Sequence, residues 1–171
     1  MKLIALLLST TLSLLAFSEN INSFSADFEQ KITDEKKSVL SYQGHVWANR
    51  KNQALWEYIT PITKKVYIQE GRVQIVEDDL EQVIIKKFNQ DIDFFELMHH
   101  AKKVSKDTYS AHYLDSVYTI KLQNSMIKSI SYEDSFANQV TIVFTKQKQN
   151  EGLKEEIFNY TIPDYYDVLR E

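Results

Sequence analysis

The sequence predicts a mainly β fold: an antiparallel sheet of about ten strands, strongly curved and not fully closed. Short runs with period-two alternation, rich in aromatic and β-branched residues, recur along most of the chain. Turn residues separate these runs every ~8–12 residues, the spacing of an antiparallel sheet or barrel. Only three glycines occur in 171 residues. A small closed barrel turns its corners on glycine kinks and bulges, so this scarcity favours a sheet left open.

The elements follow in order. Met1-Lys2, the uncharged run Leu3–Phe17 and the polar return at Glu19 form the three-part layout of a secretory signal peptide, with cleavage after Ser18. The apolar run is shorter than the roughly 20 residues that span a bilayer. The expected organisation is therefore a signal peptide over 1–18 and one domain over 19–171. Strand runs follow at Gly44–Ala48, Ala54–Ile59, Lys65–Gln69 and Arg72–Val76, the last two joined by Glu70-Gly71 at hairpin spacing. Another runs from Gln82 to Phe88. Asp91–Lys103 changes period: Phe94, Phe95, Leu97 and Met98 bunch on a helical face. Asp91 or Asp93 can cap its start, and Lys102 and Lys103 suit its C-terminal end. Strands resume at Tyr109–Leu114, Val117–Leu122, Ile127–Tyr132 and Gln139–Thr145, with Gln123-Asn124-Ser125 as a hairpin turn. Lys146–Lys154 reads as a loop, and Ile157–Ile162 as the last strand.

Composition excludes several classes. There is no cysteine, hence no disulfide, thiolate metal site or cysteine nucleophile. A net charge of -4 without a basic run is a poor match to nucleic acid. His99 and His100 are adjacent, and neighbours diverge by about 100° around a helix axis, whereas a zinc pair needs i, i+4 spacing. Glu77-Asp78-Asp79 lacks the alternation and glycine of a calcium loop. No nucleophile elbow or glycine-rich phosphate loop is present. The expectation is a non-enzyme without metal or cofactor: an exported, aromatic-rich, monomeric β domain that binds something apolar or extended.

Several segments sharpen that expectation. They are Ser23-Phe24-Ser25-Ala26-Asp27-Phe28-Glu29-Gln30, Gly44-His45-Val46-Trp47-Ala48-Asn49-Arg50, Leu55-Trp56-Glu57-Tyr58-Ile59-Thr60-Pro61, and Gly71 through Leu80-Glu81-Gln82-Val83, with Phe158–Pro163 and Asp167-Val168 at the close. In order and spacing they resemble the outer-membrane lipoprotein carrier family, LolA. The resemblance implies an unclosed antiparallel β-barrel with a small helical lid over an apolar cavity. It also implies a periplasmic chaperone that takes triacylated lipoproteins from an inner-membrane ABC exporter to an outer-membrane acceptor. By the same resemblance Arg50 is the strand arginine that latches the lid, and Trp56 is the cavity tryptophan. Leu55, Trp47, Phe94, Phe95, Leu97 and Met98 are cavity or lid residues by pattern. For Arg50 a solvated strand end, and for Trp56 ordinary core packing, remain the competing readings. The sequence departs from the family pattern at Lys51, where proline is usual, and at Ala54, where an aromatic is usual. Only Glu19–Asn22 lie between the expected cleavage point and the first strand. A four-residue helix is not stable alone. Either the lid is built mainly from 91–103, or cleavage falls earlier, or the leader is retained.

The family's outer-membrane acceptor is lipid-anchored through an N-terminal cysteine. A chain without cysteine is expected on the soluble side of such a relay. Two other functions stay open on the residues: a lipid-binding or envelope-stress sensor on the same fold, and a secreted β-sandwich hydrolase.

Overall fold

The structure, a computed structural model, describes residues 21–69, 71–87, 94–113 and 115–170. The expected signal peptide and its cleavage point lie outside the described residues, as do Glu70, Phe88, Asp91, Asp93, Leu114 and the side chain of Phe94.

Two meanders make the sheet. The first runs through β1 (Ser23–Thr33), β2 (Val39–Asn49), β3 (Gln53–Thr60), β4 (Lys64–Gln69), β5 (Arg72–Glu77) and β6 (Gln82–Lys87). After a short helix, α1 (Phe94–His99), the second runs through β7 (Lys102–Ser105), β8 (Thr108–Tyr113), β9 (Ser116–Gln123), β10 (Met126–Glu133) and β11 (Gln139–Gln149). The last described strand is β12 (Asp167–Arg170). β11 returns to pair antiparallel with β1, so all of them form one 12-stranded sheet in the order β12-β6-β5-β4-β3-β2-β1-β11-β10-β9-β8-β7. β12 and β7 are its two edges and do not pair with each other. The sheet is open, as the glycine count predicts.

Its curvature shows in ring contacts that a flat sheet forbids. Trp56 on β3 and Phe144 on β11 are three strand positions apart, about 14 Å in a flat sheet at the usual strand spacing. Their ring centroids are 6.4 Å apart. The face carrying both is concave.

Turn chemistry accounts for the hairpins. Gly71 takes φ 69° between β4 and β5, and Asn124 and Ser125 take φ 52° and 62° between β9 and β10. The latter pair has the positive φ at both central positions of a primed hairpin turn.

Four expectations are corrected. The strands number twelve rather than about ten. Among the described residues the helical stretch covers Phe94–His99, and Lys102 and Lys103 leave it for β7, opposite Ser110 and Tyr109. Lys146–Gln149, read as loop, continues β11 through a bulge at Lys146 (φ 49°), where the register shifts between Ser25 and Asp27. Ile157–Ile162 is not a strand. Its first two residues end a single 3-10 turn (Glu155–Phe158) that buries Phe158, and the closing strand β12 pairs parallel with β6.

That C-terminal stretch is a strap across the convex side. Phe158 packs with Leu55, Tyr67, Val76 and Val83. Asp78, in the 3-10 turn after β5, accepts hydrogen bonds from Tyr166 (2.9 Å), Tyr160 (3.3 Å) and Lys65 (3.3 Å). Burial alone would raise the Asp78 carboxyl, but the bonds from Tyr166 and Lys65 outweigh it and hold the carboxyl below its ordinary value.

Two tests follow. A Cβ on Gly44 would meet the Glu57 carbonyl oxygen at 1.9 Å and Phe28 Cζ at 2.8 Å. The backbone oxygen cannot step aside cheaply, so Gly44→Ala should destabilise by about 2 kcal/mol or more in urea unfolding, the scale of overpacking a close-packed site. Because the folded Asp78 carboxyl lies below its ordinary 3.8, its contribution is full well above that value and is lost as pH falls through the folded one. The melting-temperature gap between wild type and Asp78→Asn should therefore be widest near neutrality and close in strong acid. A gap that widens with acid would contradict the strap's charge logic.

Candidate functional site

The concave face is the larger of two apolar surfaces, and alternation along the central strands builds it. On β1, Phe24, Ala26 and Phe28 point inward, while Asp27 and Glu29 point outward. Val46 and Ala48 on β2, Ala54, Trp56 and Tyr58 on β3, and Val140, Ile142 and Phe144 on β11 continue the same face. The rings interlock edge to face: Phe28 with Trp56 at 5.1 Å, Phe28 with Tyr58 at 5.2 Å, and Phe24 with Phe144 at 5.4 Å. Helix α1 sits in this trough beside β8, burying Phe95, Leu97 and Met98 in the same cluster.

Cross-strand register grades the trough along its length. At one end Phe24, Ala48, Ala54 and Ile68 lie side by side across β1 to β4. Ala26, Val46, Trp56 and Val66 form the next row. Small residues facing one another keep this floor low, and Ala54, where the family pattern carries an aromatic, adds to the room. The row beyond is Phe28, Gly44, Tyr58 and Lys64, followed by Gln30 opposite Tyr42.

Arg50 lies at the alanine end, in the turn after β2. Its Nε donates to the carbonyl of Ile21 (2.5 Å), and its backbone N–H donates to Asn22 (3.1 Å). From the other side the side chain of Asn150 accepts the Asn22 N–H at 2.7 Å, and the Asn150 N–H donates to Ser23 at 3.0 Å. Lys51 pairs with Glu155 alongside. Together these line a cleft of ≈ 380 Å³. The guanidinium is thus no loose strand end: it grips the segment that leads into β1. Its described hydrogen bond is to the Ile21 carbonyl.

The residues grouped from sequence do not share one face. Trp56, Phe95, Leu97 and Met98 converge in the trough. Leu55 and Trp47 belong to the convex cluster under the C-terminal strap, with Tyr67 and Phe158. Leu55 precedes Trp56 on one strand, so period two sends them to opposite sides. Sequence reasoning left out Phe24, Phe28 and Phe144, although the Phe-x-x-x-Phe spacing on β1 puts two of them on one face. On the convex side Asp27 pairs with His45 Nδ1 (2.7 Å) and Lys146 Nζ (2.9 Å). The bonds from Lys146 and then His45 hold its carboxyl below the ordinary value. Among the described residues no group of three or more His, Cys, Asp and Glu side chains is arranged to hold a metal ion.

An open curved sheet with a small helix in its apolar trough is the arrangement the resemblance implies. Residues 19–112 match the family described as outer membrane lipoprotein carrier protein LolA. The chain belongs to the LolA family. It is 41% identical over 157 residues to the outer-membrane lipoprotein carrier protein of Campylobacter jejuni, covering 92% of each chain. It is 31% identical to that of Wolinella succinogenes, covering 94% of this chain and 93% of that one. Among solved structures, a LolA-superfamily protein from Nitrosomonas europaea superposes with a TM-score of 0.52 at 8% identity, covering 82% of this chain and 91% of that one. At that identity the likeness concerns the LolA fold alone.

The clamp on Ile21 and Asn22 is directly testable. A hydrogen bond from a charged donor contributes about 1.5–3 kcal/mol. Arg50→Leu should therefore raise the exchange rate of the Asn22 amide by roughly tenfold or more, with strand amides in β9 and β10 unchanged. Unchanged exchange at Asn22 would remove Arg50 from the clamp.

Proposed function

We propose that this protein is a periplasmic lipoprotein carrier: it binds the acyl chains of triacylated lipoproteins in the concave trough and ferries them from the inner to the outer membrane, without catalysis. The observation that carries this reading is the trough itself, an apolar face bounded by an open sheet and occupied by a helix too short to stand alone. Each CH₂ left in water costs about 0.8 kcal/mol, so a lipid-modified protein needs such a surface in transit. The relatives are lipoprotein carrier proteins by name, and that supports lipoproteins as the cargo class. An inner-membrane ABC exporter as donor and an outer-membrane acceptor complete the relay, and a cleaved leader over 1–18 accounts for export.

Trp56 and the α1 residues Phe95, Leu97 and Met98 are the acyl-contacting side chains in this reading. Leu55 and Trp47 support them from behind. Phe95, Leu97 and Met98 fill the space that acyl chains would take, so cargo and helix compete. Apparent affinity then falls by the fraction of molecules in which the helix is in place, and that competition assists release. Arg50 acts at the edge of the trough by fixing where the chain enters β1, as a latch on the N-terminal segment.

Two measurements test the reading. Depleting the protein should strand outer-membrane lipoproteins in the inner membrane, as read by fractionation. Native mass spectrometry of the protein recovered from the periplasm should find a triacylated polypeptide bound one to one. Normal sorting after depletion, in cells without a second carrier, would sink the proposal.

A further inference from the structure

A second polar group lies at the end of the trough opposite Arg50. Beyond the Trp56 row, Lys64, Tyr58, Tyr42 and Gln30 gather on the concave face. Tyr42 and Tyr58 meet edge to face at 5.6 Å. The Lys64 ammonium lies 4.6 Å from the Tyr58 ring centroid and 5.5 Å from that of Tyr42. Tyr58 donates its hydroxyl hydrogen to Gln30 Oε1 at 3.0 Å. Tyr132 stands on the same side, opposite Val140, which in turn faces Ile32.

The sense of these hydrogen bonds matters. Gln30 has spent its carbonyl on Tyr58, and its NH₂ offers donors. Lys64 brings three donors and no acceptor. Burial, with Tyr132 and Tyr42 nearby, pushes the Tyr58 phenol upward, and burial with Tyr118 pushes Tyr132 up to about 12. Both phenols therefore keep their protons at any physiological pH. The nearest carboxylates on these strands, Glu29 and Glu57, alternate to the convex face. Phenylalanine would fill the same volume without burying a hydroxyl that must find a partner. A donor-rich rim continuous with an apolar floor fits an amphiphile whose polar junction is a hydrogen-bond acceptor.

We infer that Lys64, Tyr58, Tyr42 and Gln30 form a subsite for the ester carbonyls joining acyl chains to their glyceryl-cysteine head, so that cargo lies with its chains toward Ala48 and Ala54 and its head at the Gln30 end. This rests on the carrier reading and adds to it a direction and a chemical preference. Two carbonyls held by the rim contribute on the scale of ordinary net hydrogen bonds.

The test uses the full-length mature chain and two synthetic peptides, each N-acetylated and carrying a cysteine S-linked to a two-chain glyceryl group. One carries ester-linked sixteen-carbon chains, and the other carries ether-linked chains of equal length. Trp56 fluorescence or calorimetry reads affinity. Wild type should prefer the ester peptide by about tenfold. Tyr58→Phe with Lys64→Met should bring the two within about twofold, with the loss falling on the ester peptide. Tyr42→Phe alone, a smaller change, should give an intermediate ratio. Equal binding of both peptides by wild type, or a parallel loss of both in the variants, overturns the subsite and leaves the carrier reading standing. Failure of wild type to bind either peptide overturns the carrier reading and the subsite with it.

Discussion

The pairing of β1 with β11 is the interaction on which the rest depends. Two meanders, each made of local hairpins, would otherwise be separate half-sheets with exposed edges and one bare apolar face apiece. Joining Phe24 to Gln149 and Thr33 to Gln139 merges them into one sheet. It also brings Phe28 and Phe144 side by side, and the ring cluster grows around that contact. The bulge at Lys146 shifts the register there, and bulges increase local twist. Asn150, just past the bulge, is delivered to the Asn22 amide by the same seam, so the clamp at the start of β1 and the shape of the trough have a common origin.

Covering both faces is the second constraint. The convex side is handled by the strap from 150 to 170, locked by Phe158 and by the bonds to Asp78. The concave side is handled differently. Its described cover is α1, six residues that could not persist as an isolated helix. Its hold is the packing of Phe95, Leu97 and Met98. One face is closed by a charged, multiply bonded lock, and the other by apolar packing that another apolar object can replace. That asymmetry is what a binding face needs and a structural face does not.

Much of this was legible in the residues. Strands β3 to β6 and β9 to β11, the hairpins at Gly71 and Asn124-Ser125, and the open sheet follow from period two, turn chemistry and glycine scarcity. The family follows from the spacing of Phe24, Phe28, Arg50, Trp56 and Pro61. The misreadings have physical causes. Lys102–Ser105 continues an apparent helix in sequence but gains ladder bonds as an edge strand opposite β8, a tertiary choice that local pattern does not carry. Ile157–Ile162 alternates like a strand yet serves as a strap, because Phe158 is anchored by side-chain packing rather than by a neighbouring strand. Trp47 and Leu55 were grouped with Trp56 for being large and apolar. Period two already assigned Leu55 to the other face, and only the existence of a second apolar surface there explains why so many large residues were available.

That second surface also explains why the floor of the trough can be made of alanine. Ala26, Ala48 and Ala54 contribute little packing to the sheet, and in a sheet with one core such residues would be a weakness. Here β3 and β4 are stabilised from the convex side, where Leu55, Tyr67 and Phe158 bury substantial area. The concave floor is free to be low. An apolar trough with aromatic walls and small residues beneath is helped by packing of those strands from behind as well. Binding capacity on one face is therefore a consequence of packing on the other, and a change at Leu55 or Phe158 would act on the trough without touching anything inside it.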